Sequence, residues 1–223
     1  MANAEIVDLY PERICLENFD VHVDQLQDLE VIFGTWKISQ LQKAHLERLP
    51  NLKIVFYGAG TVQNFARPML EHGVRVCSAW KANAVPVAEY TLAQILLANK
   101  GFYTNIRDCQ TYASRKNSPF KGRGNFGATV ALLGAGAIGS LLIDLLKPFH
   151  LELVVFDPFL PAERAAEMGV RKVSLEAAFR EGDIVSNHLA NNEQTRGMLH
   201  GGHFSLLQNH ATFINTGRGA TVV

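Results

Sequence analysis

The stretch Val130-Ala131-Leu132-Leu133-Gly134-Ala135-Gly136-Ala137-Ile138-Gly139-Ser140-Leu141-Leu142 decides the fold. Its first four residues are a short apolar run, the pattern of a strand buried on both faces. Three glycines follow at GxGxxG spacing and lead into an apolar helical stretch. Each glycine answers a separate steric demand. Gly134 permits a tight turn, Gly136 lets a phosphate approach the backbone, and Gly139 lets the helix pack closely on the strand. Ala137 and Ile138 open that helix, whose unpaired N–H groups and positive dipole end face whatever anion sits on the turn.

A second signal lies downstream. Asp157 closes the apolar run LELVVF, 18 residues beyond Gly139, where a carboxylate can accept hydrogen bonds from adenine-ribose hydroxyls and repel a 2′-phosphate. Pro158, Phe159 and Leu160 supply no cation to offset that repulsion, so the motif selects NAD over NADP. S-adenosylmethionine and flavin dinucleotides use the same turn and stand as competing ligands, and a glycine-rich turn beside an incidental aspartate is the bland alternative.

Working outward, an α/β alternation continues on both sides. After the glycine turn come a helix over 138–149, strand 151–156, helix 162–168, strand 170–173, helix 174–180, strand 184–189 and strand 212–215. Before it, strands over 29–33, 52–57 and 74–78 alternate with helices over 40–49 and 62–72. Pro86 suits the first turn of a long helix over 87–99, with Ala88, Leu92, Ile95, Leu96 and Asn99 on one stripe. The polar stretch 117–125 reads as a surface connection. Two parallel α/β units in tandem account for the whole pattern.

Composition removes several function classes. Lys plus Arg and Asp plus Glu both number 21 among 223 residues, so no net basic field gathers nucleic acid or an anionic membrane. The apolar run 128–146 is interrupted by three glycines and Asp144, which argues against a membrane span. Cys15, Cys77 and Cys109 form no CxxC pair, which fits a reducing, cytoplasmic setting without disulfides or a thiolate zinc site. The acidic N-terminus MANAEIVDLYPERICLENFD lacks the layout of a secretion signal. His200 and His203 in HGGH lack a nearby third ligand and read as a surface loop, with no metal.

Five segments in order, LPNLKIVFYGAGTV, ANAVPVAEYTLA, VALLGAGAIGS, DIVSNHLANNEQTRGML and ATFINTGRGATVV, together resemble the D-isomer-specific 2-hydroxyacid dehydrogenases. The resemblance implies a flavodoxin-like α/β substrate domain over 1–83. It implies a Rossmann-type doubly wound NAD-binding domain over 84–223, lacking its last strands. A small 2-hydroxy or 2-oxo acid is the implied substrate, and a homodimer pairing through the helix near 86–99 the implied assembly. Gly58, Ala59 and Gly60, in the loop 57–61, are implied to offer N–H groups to the substrate carboxylate. Asn83 is an implied substrate contact, although an Asn before a helix is also a common cap. Arg218 matches the catalytic arginine, whose planar fork suits a carboxylate and a keto oxygen; the bland alternative is a surface arginine. Thr216 and Gly217 would line the nicotinamide pocket, and His188, Leu189 and Thr195 would meet the cofactor through the loop they form.

Some positions depart from the family's usual residues: Gln63 replaces an acidic residue, Ala137 an arginine, Ala190 a proline, and Gly217 an alanine or serine. The family's acid/base pair, a carboxylate and then a histidine, follows the arginine motif and has no counterpart up to Val223. None of the eight histidines lies in a segment resembling the one that carries that pair. The expectation is a chain that binds NAD weakly or not at all and does not turn over. A non-catalytic dinucleotide-binding regulatory or protein-interaction module is the alternative.

Overall fold

The computed structural model describes residues 9–117 and 122–223. The chain divides into two compact units, Met1–Asn83 and Ala84–Val223.

In the first unit, α1 (Phe19–His22) precedes β1 (Val31–Gly34), α2 (Lys43–Leu46), β2 (Ile54–Tyr57), α3 (Ala66–Glu71) and β3 (Arg75–Ser78). The strands form a parallel sheet in the order β1-β2-β3. Period-two alternation divides its faces. Val55 and Tyr57 are buried with Leu46, Met69 and Val74, whereas Phe56 is exposed and stacks on Phe33 at 5.4 Å between ring centroids. Both helices are shorter than the sequence pattern predicts. Gln42 is extended and caps α2 reciprocally with His45, while Pro50 disfavours helical backbone at Leu49. Pro68 falls in the first turn of α3, where its missing N–H has no intrahelical partner to lose.

The helix expected to begin at Pro86 runs instead from Trp80 to Asn99 (α4), with Pro86 inside it. Helical bonding is established upstream, where Asn83 N–H donates to the Ala79 carbonyl at 2.9 Å. Pro86 forfeits only its own bond, the one that would reach the Ala82 carbonyl. Burial of Ala84, Ala88, Thr91, Ile95 and Ala98 along one stripe holds the helix together. Asn83 therefore lies within the helix and does not cap it.

The second unit continues with α5 (Phe102–Asp108) and α6 (Tyr112–Asn117), two short helices that the sequence pattern does not anticipate. Part of the connection over 117–125 lies outside the described residues. Then follow β4 (Ala128–Leu133), α7 (Ala137–Leu146), β5 (Leu151–Phe156), α8 (Ala162–Glu167), β6 (Arg171–Lys172), α9 (Leu175–Glu181), β7 (Ile184–Asn187), α10 (Gly201–Phe204) and β8 (Thr212–Asn215). The five strands are parallel in the order β6-β5-β4-β7-β8. Chain direction across the sheet reverses between β4 and β7, the switch point where such sheets bind ligands at their carboxyl ends.

Alternating side chains of β4 enter two cores. Val130 and Leu132 pack with Ile143, Leu146 and Val155 on one face, and Ala131 and Leu133 pack with Phe179 and Val185 on the other. This sheet is covered on both sides, as the unbroken apolar run of β4 demands.

Candidate functional site

The glycine turn leaves β4 with Gly134 at φ +96°, a backbone region that disfavours any side chain. A Cβ there would also stand 3.1 Å from the His188 carbonyl oxygen. At Gly139 a Cβ would lie 2.1 Å from the Gly134 oxygen, so α7 seats directly on the turn only because position 139 has no side chain. Gly136 is the reverse case: it is exposed, and a Cβ there would meet nothing within 4 Å. Gly136 caps α7, whose first intrahelical bond runs from Ser140 N–H to the Gly136 carbonyl at 2.9 Å. The amides of Ala137, Ile138 and Gly139 precede that bond and have no intrahelical acceptor.

Asp157 leaves β5 beside this turn. One carboxylate oxygen accepts from Ala135 N–H and the other from Phe159 N–H, each at 2.9 Å. The residue expected to meet a ribose thus also ties the end of β5 to the glycine turn. Each oxygen keeps a lone pair for a further donor.

Across the switch point, His188 N–H donates to the Leu133 carbonyl at 2.8 Å. The His188 ring is hydrogen-bonded on both nitrogens, Nε2 to the Ser186 hydroxyl at 2.9 Å and Nδ1 to the Thr216 hydroxyl at 3.3 Å. Thr216 is reached in turn by Thr91 of α4 at 3.4 Å. Burial pushes the His188 pKa down to about 4, so the imidazole is neutral at pH 7. Leu189 and Thr195 are buried. The Thr195 hydroxyl is spent inside the loop, donating to the Ala190 carbonyl and accepting from Asn192 N–H.

Arg218 is exposed beyond β8, and its guanidinium donates to the Gly217 carbonyl at 3.2 Å. The chain around it is held in place. Gly217 N–H donates to Asn215 Oδ1 at 3.1 Å, the Thr221 hydroxyl donates to the Arg218 carbonyl at 2.8 Å, and Val222 forms a parallel bridge with Leu199. The second unit therefore brings together the glycine turn, Asp157, His188, Leu189 and Thr216–Arg218 at the carboxyl ends of its strands.

Gly58, Ala59, Gly60 and Asn83 gather separately in the first unit. Gly58 N–H is committed to the Gly34 carbonyl at 2.8 Å, so of the amides expected to meet a carboxylate only those that follow it are left. The Ser78 hydroxyl lies 2.9 Å from the Ala59 carbonyl and 2.6 Å from that of Gly60. Because a trans peptide points its N–H opposite its C=O, both contacts turn the amides of Gly60 and Thr61 away from Ser78. Asn83 Nδ2 comes within 3.5 Å of the position a Gly60 Cβ would take.

HGGH departs from the expected surface loop. His203 is buried against Phe179, and His200 and His203 cap α10 reciprocally. Among the described residues no group of His, Cys, Asp or Glu could hold a metal ion. The sequence pattern does not single out Ser78, Ser186, Asn187 or Thr221. Its sole hint is the polar pair Ser186 and Asn187 closing a strand that Ile184 and Val185 begin.

Residues 92–223 match the family model for the D-isomer specific 2-hydroxyacid dehydrogenase NAD binding domain. D-3-phosphoglycerate dehydrogenase of Mycobacterium tuberculosis (strain H37Rv) is 29% identical over 178 residues, 79% of this chain and 34% of that protein. D-lactate dehydrogenase of Escherichia coli K12 is 29% identical over 155 residues, 68% of this chain and 46% of that protein. The chain thus spans about a third to a half of these relatives' length. Among solved structures, D-2-hydroxyisocaproate dehydrogenase superposes with a TM-score of 0.77 at 22% identity, covering 91% of this chain and 62% of the other. A Staphylococcus aureus formate dehydrogenase in complex with NAD gives 0.70 at 22% identity, covering 93% and 63%. The open approach at Gly136, the close seat of α7 at Gly139 and the carboxylate of Asp157 fit the same ligand. The chain belongs to the D-isomer-specific 2-hydroxyacid dehydrogenase family, through an NAD-binding domain of Rossmann type whose cofactor is NAD.

Proposed function

We propose that the chain is the nucleotide-binding part of an NAD-dependent D-2-hydroxyacid dehydrogenase, with residues 1–83 contributing part of a flavodoxin-like substrate domain. The observation that carries this reading is the glycine turn, open at Gly136 and closed to side chains at Gly139, with Asp157 fastened to it. The pyrophosphate is assigned to the amides of Ala137 to Gly139 and the adenine ribose to Asp157. NAD, when bound, supplies or accepts the hydride. Arg218 would grip the carboxylate of a 2-oxo acid and polarise its keto oxygen, and within the first unit Gly60 and Thr61 would offer their amides to a carboxylate.

Reduction of the keto carbon leaves its oxygen in need of a proton. His188 is a poor donor, being neutral and hydrogen-bonded on both sides. This supports a 223-residue chain that does not turn over, and it keeps a non-catalytic dinucleotide-binding module as the second reading. The free cysteines favour a reducing, cytoplasmic location. Among the described residues no helix is long and apolar enough to cross a membrane. A homodimer through α4 belongs to the same proposal.

Calorimetry with NADH and with S-adenosylmethionine, together with NADH oxidation by pyruvate, glyoxylate and hydroxypyruvate, tests it. Binding of NADH alone, without turnover, is expected. Binding of S-adenosylmethionine but not NADH would overturn the dinucleotide assignment, and turnover above a no-protein control would overturn the inactive reading.

A further inference from the structure

We infer that Asn187 is a positioning residue for the nicotinamide half of the site: one buried carboxamide holds the Thr216–Arg218 loop to the end of β7. This rests on reading the second unit as a dinucleotide half-site.

Asn187 closes β7 opposite Asn215 of β8 and is fully buried. Its Nδ2 donates to Asn215 Oδ1 at 3.2 Å and to Thr221 Oγ1 at 2.9 Å, while its Oδ1 accepts from Leu189 N–H at 3.1 Å. Both donors and an acceptor are therefore used, which removes most of the cost of burying an amide. Neither of the first two partners is a terminus of the network. Asn215 Oδ1 also accepts from Gly217 N–H, and the Thr221 hydroxyl donates to the Arg218 carbonyl. The Thr216–Gly217 peptide and the Arg218 carbonyl are thus both held through one side chain.

The same side chain holds the Leu189 amide, so the loop after β7 and the loop after β8 share an anchor. A Cβ at Gly217 would sit 3.4 Å from the Asn187 carbonyl oxygen and 3.5 Å from that of Leu189, which shows how closely the two loops lie. The strand begins with the apolar Ile184 and Val185 and closes with the buried polar pair Ser186 and Asn187. What a carboxamide adds is direction: a network whose members are all satisfied specifies one arrangement of the loops it joins.

The test uses Asn187→Leu, with the same branching and number of heavy atoms, and Thr221→Val, of nearly the same shape. NADH and ADP-ribose are titrated in parallel, because ADP-ribose reaches the glycine turn and Asp157 but has no nicotinamide. Trypsin release of the peptide after Arg218 is followed by mass spectrometry. NADH affinity is expected to fall about five- to tenfold in Asn187→Leu and less in Thr221→Val, with ADP-ribose affinity held within about twofold and cleavage after Arg218 faster in both. Equal losses for the two ligands would make Asn187 a general stabiliser and overturn the inference, as would unchanged cleavage in both variants. If the wild-type chain binds neither ligand, the half-site reading fails and this inference with it. Should Asn187→Leu fail to fold, Thr221→Val carries the same comparison.

Discussion

Gly139 lies against the carbonyl of Gly134: a Cβ at position 139 would stand 2.1 Å from that oxygen, closer than any real contact. The first turn of α7 can approach the end of β4 only because position 139 lacks a side chain, and that approach puts three unpaired amides at the switch point.

Gly139→Ala is therefore expected to move α7 off the turn. A loss of about 2–3 kcal/mol in chemical denaturation should accompany loss of NADH binding by calorimetry. Unchanged stability and binding would refute close packing at this position.

Asp157 has a structural task and a proposed recognition task, and substitutions separate them. Asp157→Ala leaves the amides of Ala135 and Phe159 without their acceptor, which should cost about 1–3 kcal/mol. Asp157→Asn keeps one of the two acceptor oxygens, turns an NH2 toward the other amide and removes the charge, so the ratio of NADPH to NADH affinity should rise. Competition titrations with both nucleotides read the ratio.

His188 links stability to pH. Its pKa, depressed by burial to about 4, lies below the usual value near 6.5 of an unfolded chain. Between those values the unfolded state binds the extra proton, so stability falls as pH drops from about 6.5 to about 4, by an amount on the order of 3 kcal/mol. Above pH 7 the group contributes no slope. His188→Asn should flatten this acid limb of a urea-denaturation pH series; an identical limb would show that other groups produce it.

Gly217 stands where the family resemblance implies Ala or Ser, and the structure leaves room for either. Its φ is not in the left-handed region, and a Cβ would make ordinary contacts of 3.4–3.5 Å. Gly217→Ala should be neutral or stabilise by up to about 1 kcal/mol through the unfolded chain, as measured by thermal unfolding.

Ser78 should matter to its loop more than to its core. Ser78→Ala frees the carbonyls of Ala59 and Gly60, at an expected cost of about 1 kcal/mol. The carbonyl-carbon NMR shifts of Ala59 and Gly60 should move while those of the second unit stay in place.

The sequence alone determined the elements whose cause is local. GxGxxG between an apolar run and a helix, Asp157 at the end of LELVVF, and the strands 151–156 and 212–215 were legible because turn sterics and side-chain period act over a few residues. Boundaries set by longer-range packing were not. The helix around Pro86 extends upstream to Trp80 because burial of the stripe from Ala84 to Ala98 outweighs one missing hydrogen bond. His203 is buried, against the expectation of a surface loop, because Phe179 lies over it. Only the tertiary structure decided that Asp157 also braces the glycine turn, that Ser78 orients the amides after Gly58, and that Asn187, Asn215 and Thr221 join to hold Arg218. Those contacts link residues tens of positions apart, and a hydrogen bond leaves no periodic trace in a sequence. The strand register that brings Asn187 opposite Asn215 is a property of the assembled sheet alone.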